Sequence, residues 1–194
     1  MEADYPDFDF FRPDDAIGHV SGNLPHWRQE GVTYFVTFRL ADSLPQLKLR
    51  ELREEIEAEV PADKRKAELI KRMERSLDAG YGSCVLANPI AKNTVEGALR
   101  FFDRTRYWLD ESIVMPNHVH AIVVPKGDCK LSGILHSWKS YTSNQICAAG
   151  LAVAPVWQQE SFDRIVRSGD SMEKFRGYIT QNRRFAERLA KRDA

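Results

Sequence analysis

Met115-Pro116-Asn117-His118-Val119-His120-Ala121-Ile122-Val123-Val124 closes one extended run and opens another, and the rest of the chain falls into order around it. Tyr107 to Val114 lies upstream, and His118 to Val124, rich in β-branched residues, lies downstream. Both compositions favour strands, and the Pro-Asn link favours a tight reversal. The stretch therefore predicts an antiparallel hairpin. Side chains at i and i+2 of a strand share a face. His118 and His120 should project together, with Val119 and Ala121 turned the other way. Two imidazoles on one face of a rigid strand make half of a metal site.

Outward from the hairpin, Thr33-Tyr34-Phe35-Val36-Thr37-Phe38-Arg39-Leu40 is strongly β-prone and reads as a strand. Ser43-Leu44-Pro45 reads as a helix start. Leu47 to Val60 has helical spacing, with Leu49, Leu52 and Ile56 in one stripe, and a second helical run spans Asp63 to Ala79 before Gly80. These two helices read as an inserted, highly charged arm over about 45–79. Asn93 to Phe102 and Leu131 to Ala149 read as helices, and Asp170 to Lys191 as a last one, capped by Ser168 or Asp170. One more strand is expected near 81–86 or 156–166. Residues 1–31, rich in Asp, Pro, Gly and Asn, read as an irregular leading segment before a single domain over 32–194. The order predicts an α+β fold, a ferredoxin-like, RRM-like antiparallel sheet with packed helices.

Bulk properties narrow the class. An apolar fraction of 43% and a charged fraction of 29% suit a water-soluble globular chain. No apolar run approaches the roughly 20 residues that span a bilayer, and the acidic N-terminus lacks the pattern of a signal peptide. The expectation is a protein without membrane contact, in the cytoplasm. Cys84, Cys129 and Cys147 form no CxxC pair, which excludes a zinc ribbon or a disulfide framework. Twenty-eight basic and 28 acidic residues cancel, yet Asp163 to Arg192 holds seven Arg and two Lys against four acids. A locally basic face of this kind can hold phosphates.

The histidine pair admits several chemistries. A histidine-triad hydrolase needs a third histidine where Ile122 stands, and HExxH and H-x-E…PCxxC signatures are missing. On the last helix Tyr178 and Asn182 are i and i+4 and share a face. Spacing alone also fits a packed tyrosine and a surface amide.

Taken together, the motifs resemble the single-tyrosine His-hydrophobe-His transposase superfamily, and most closely the REP-associated tyrosine transposases, which are insertion-sequence-like. The residues that carry the resemblance are Asn23-Leu24-Pro25-His26-Trp27, Thr33 to Leu40, Met115 to His120, Leu135-His136-Ser137-Trp138-Lys139-Ser140-Tyr141-Thr142, Val156-Trp157-Gln158-Gln159-Glu160, Phe162-Asp163-Arg164-Ile165-Val166-Arg167 and Tyr178-Ile179-Thr180-Gln181-Asn182. The resemblance implies that His118 and His120 bind Mg²⁺ or Mn²⁺ with Asn182 as third ligand, Gln181 being the alternative. It implies Tyr178 as nucleophile, with Tyr141 as the rival on the preceding helix. Arg164, Arg167, Lys174 and Arg183 would contact DNA. The implied activity is nicking and strand transfer on single-stranded DNA with repeat hairpins, through a 5′-phosphotyrosine. The alternative is a domesticated hairpin-binding protein without cleavage. The implied setting is a prokaryotic nucleoid, and the protomer would act as a monomer or homodimer. One departure is the run Arg183-Arg184-Phe185-Ala186-Glu187, where relatives break with proline; here the helix is expected to continue.

Overall fold

The computed structural model describes residues 8–15, 18–20, 26–44 and 46–192. In chain order the elements are β1 (Gly18–Val20), β2 (His26–Arg28), β3 (Tyr34–Arg39), α1 (Gln46–Glu59), α2 (Arg65–Asp78), a 3-10 turn (Val85–Ala87), α3 (Pro89–Phe101), β4 (Tyr107–Val114), β5 (His118–Pro125), α4 (Leu131–Ala148), β6 (Phe162–Ile165) and α5 (Gly169–Arg192). Among the described residues the central sheet runs β4-β5-β3-β6, with every neighbouring pair antiparallel. A strand, a helix, a hairpin, a helix and a strand in chain order, paired in that spatial order, make a ferredoxin-like α+β sheet. The expected fourth strand is at 162–165. The 81–86 stretch instead forms a turn leading into the 3-10 segment, where Cys84 takes a left-handed conformation that a strand cannot accommodate.

Both faces of β3 are covered, which is why all six of its residues are buried. Tyr34, Val36 and Phe38 face α3 and α4, together with Val119, Ala121 and Val123 of β5. Trp138 Nε1 donates to the Tyr107 hydroxyl at 2.9 Å, and that hydroxyl donates to the Leu99 carbonyl at 2.8 Å. One polar chain thus ties α4, β4 and α3 inside an apolar layer. Trp157 is buried in the same layer.

The opposite face is closed by α5. Phe35, Ile113 and Ile122 meet Met172 and Ile179 of that helix, with Phe175 and Tyr178 packed against them. The Ser168 hydroxyl caps α5 by accepting from the Ser171 amide at 3.2 Å, and the helix does run on past Asn182 to Arg192.

The leading segment is less irregular than its composition suggests. β1 and β2 pair antiparallel. The Thr33 amide donates to the Asp9 carbonyl at 2.8 Å, and the Phe11 amide to the Val166 carbonyl at 3.1 Å. Long-range backbone pairing of this kind leaves no local signature. Asn23-Leu24-Pro25 and Pro45 lie outside the described residues. The arm is a pair of helices held by Arg72, which reaches Glu68 on its own helix and Glu55 and Glu59 on α1. Among the described residues no helix is long and apolar enough to cross a membrane.

Candidate active site

β5 delivers His118 and His120 to the α5 face, where they are 1% and 0% exposed. Their rings lie 4.6 Å apart at 76°, and the two Nε2 atoms are 3.0 Å apart. Each Nδ1 has its own partner: Asn117 Oδ1 at 2.7 Å for His118, and Thr37 Oγ1 at 2.8 Å for His120. Asn117 is itself fixed, because its amide nitrogen donates to the Leu77 carbonyl at 3.2 Å and the Tyr81 carbonyl at 2.9 Å. Its Oδ1 is therefore an acceptor, so His118 carries its proton on Nδ1 and presents a lone pair at Nε2. The Thr37 hydroxyl can donate or accept, so His120 can do the same by changing tautomer. Burial pushes the pKa of His118 down to about 3. Burial first, and the neighbouring His118 second, hold that of His120 well below its ordinary value. Both imidazoles are neutral at physiological pH, the form that ligates metals.

Helix α5 brings Tyr178 to this pair. Its ring stands edge-on to His120, with centroids 5.1 Å apart at 73°, and its hydroxyl oxygen is shielded from solvent. Phe35 holds the neighbourhood together. It stacks on Phe175 at 4.3 Å and on His120 at 5.5 Å, and meets Tyr178 edge-on at 6.1 Å. One turn beyond Tyr178, Asn182 is 6% exposed and donates its amide to the Tyr178 carbonyl at 3.2 Å. Gln181 is exposed. Tyr141 is 53% exposed on α4, a helix that covers the other face of the sheet, so the fold does not bring it to the histidines.

The donor set fits a divalent cation. The two Nε2 atoms, 3.0 Å apart, are close enough together for both to ligate one ion. Two imidazoles with an amide oxygen suit Mn²⁺ better than the all-oxygen preference of Mg²⁺. Among the described residues no group of three or more His, Cys, Asp or Glu could hold a metal.

Among solved structures, the chain is similar to a REP-associated tyrosine transposase bound to a REP hairpin. The identity is 16%, with 82% of this chain and 68% of that chain covered and a TM-score of 0.44. It is also similar to a candidate transposase from Deinococcus radiodurans R1, at 11% identity, with 78% and 90% of the two chains covered and a TM-score of 0.35. No protein-family model and no curated protein matches the chain. The chemistry of the site rests on its own residues rather than on these similarities.

The basic residues expected to meet DNA are dispersed. Lys174 is exposed on α5. Arg183 is engaged by Glu111 at 2.7 Å. Arg176, two residues before Tyr178, makes paired bonds of 2.7 and 2.9 Å to Asp110. β4 carries both acids at an irregularity between Leu109 and Ser112, so Tyr178 sits between two ion pairs that pin its helix. Arg164 stacks on Phe162 at 4.9 Å, and Arg167 on Phe11 at 5.7 Å. Arg164 lies within β6, and Arg167 lies two residues beyond its end.

Sequence reading missed Thr37 and Asn117 as the partners of the histidines. Asn117 was in plain view beside His118. Thr37 needed the β3–β5 register, which sets it opposite His120, and no local pattern encodes that register.

Proposed function

We propose that this chain is a metal-dependent endonuclease and strand transferase for single-stranded DNA, acting on palindromic repeat hairpins through a 5′-phosphotyrosine. The observation that carries the reading is Tyr178, edge-on to a buried, neutral His118–His120 pair whose Nε2 atoms converge. The motif resemblance supplies the substrate class and the 5′ polarity. His118, His120 and Asn182 would hold Mn²⁺ or Mg²⁺, which when bound offsets charge on a non-bridging oxygen of the scissile phosphate.

The chain's own residues do the rest. The Tyr178 oxygen forms a bond to phosphorus while the bond from phosphorus to the 3′ oxygen breaks. The leaving oxygen keeps the electron pair and becomes a 3′-hydroxyl on taking a proton, and the phenolic proton passes to water. The ester formed keeps the bond energy, so a second 3′-hydroxyl can attack it and rejoin strands without a nucleotide triphosphate. Asn117 and Thr37 fix the ring orientations of the histidines, and Asn117 also fixes the tautomer of His118. The Arg176–Asp110 and Arg183–Glu111 pairs hold the Tyr178 helix in place for in-line attack.

Covalent capture tests this reading. Incubation with Mn²⁺ and labelled single-stranded repeat-hairpin DNA should give a denaturation-resistant adduct that Tyr178→Phe abolishes and Tyr141→Phe retains. Loss of the adduct with Tyr141→Phe alone would reassign the nucleophile. Tight hairpin binding with no adduct from the unaltered chain would leave a DNA-binding protein instead.

A further inference from the structure

Arg39 ends β3 directly across from His118 in the β3–β5 register. Thr37, two residues earlier, contacts His120, so the Arg39 side chain leaves the sheet on the histidine face. It is 8% exposed. A guanidinium has five N–H donors, yet its side chain makes one long bond, 3.3 Å to the Ser43 hydroxyl. Among the described residues no carboxylate forms a close ion pair with it. Glu160 contributes only a longer-range attraction, and burial lowers the guanidinium pKa. A second, half-buried cation adds to the imbalance: Lys139 donates to the Gln159 carbonyl and the Ser161 hydroxyl, each at 2.9 Å. Partial burial, and then repulsion from Arg39, bring its pKa down to about 8 against the pull of Glu160. The two cations thus share the field of one carboxylate. Buried charge is costly without a counter-charge, and a planar guanidinium matches phosphate oxygens well.

We propose that Arg39 is a phosphate-holding residue of this site, gripping a backbone phosphate of single-stranded DNA at the end of β3, across the sheet from His118. This rests on the DNA-processing reading above. The phosphate completes the charge set, and its grip fixes the strand's register against Tyr178. Arg39 sits at the end of a rigid strand, which limits how far the held phosphate can move.

The test is the salt dependence of binding of a single-stranded repeat oligonucleotide, measured in a Tyr178→Phe background that does not cleave. Each phosphate contact to a single strand contributes about 0.7 to the slope of log affinity against log salt. Arg39→Gln should lower that slope by about 0.7 and weaken binding at low salt roughly tenfold or more. Arg39→Lys should keep the slope but lose affinity, because the charge stays and the planar fork is lost. Melting temperature should not fall and Mn²⁺ affinity should stay near that of the parent, which a merely structural role would not allow. If Arg39→Gln does not fold, Arg39→Lys on the Tyr178 background carries the test, with slower adduct formation at unchanged Mn²⁺ affinity expected. An unchanged slope in Arg39→Gln, or parental affinity and rate in Arg39→Lys, while the unaltered chain still forms adduct, overturns this inference alone. No adduct from the unaltered chain overturns the function reading and this inference with it.

Discussion

Acidifying the metal-free protein should unfold it through His118 and His120 well before carboxylates titrate. The unfolded chain binds a proton at each histidine near pH 6.5, whereas burial keeps folded His118 neutral down to about pH 3. Between those values the unfolded state holds more protons, so stability falls as pH falls. For His118 alone, RT ln[(1 + 10^1.5)/(1 + 10^−2)] gives a loss of about 2 kcal/mol at pH 5 relative to alkaline pH. His120, whose folded pKa is also depressed, adds to the loss with the same sign. With a urea slope of about 2 kcal/mol per M, His118 by itself shifts the midpoint by about 1 M. The assay is urea unfolding, followed by far-UV circular dichroism, at pH 8 and pH 5 with a chelator present. His118→Ala should be less stable at pH 8 but flatter with pH, by about the 2 kcal/mol calculated. Saturating Mn²⁺ should raise the midpoint at pH 8 and lose that effect on acidification, as protons compete for Nε2. A midpoint that is the same at both pH values, or a slope with pH that His118→Ala leaves undiminished, would refute the buried neutral pair.

Three further outcomes are expected. Thr37→Val and Asn117→Ala remove the partners of His120 and His118, and each should weaken Mn²⁺ binding about tenfold to a hundredfold by calorimetric titration; unchanged affinity would show that the rings hold their tautomers unaided. Asp110→Asn breaks the pair that pins α5 through Arg176, costing about 2 kcal/mol in urea unfolding and slowing adduct formation without touching the oligonucleotide salt slope. Gly82→Ala should destabilise by about 1–3 kcal/mol, because φ is +91° and a Cβ would stand 2.8 Å from the Asp42 carbonyl oxygen; a neutral effect would show that this loop gives way freely.

Local chemistry alone determined much of this molecule. Alternation and β-branching marked β3, β4 and β5, and helical spacing marked α1 to α5 within a few residues, because each signal lies within one element. The period of two put His118 and His120 on one face, and the 3.6-residue period put Tyr178 and Asn182 on another, whatever the fold around them. Tertiary structure decided what those faces meet. Both α4 and α5 carry a tyrosine, and nothing in their periodicity says which side of the sheet each helix covers; packing of Ile179 and Met172 on Ile122 and Phe35 places Tyr178 by the histidines and leaves Tyr141 on the far side. The same docking buries Asn182 and exposes Gln181, one residue away. Only the fold brings Glu111, 72 residues earlier, beside Arg183. The roles of Thr37 and Arg39 came from strand register, a long-range pairing set by the whole sheet rather than by any neighbouring residue.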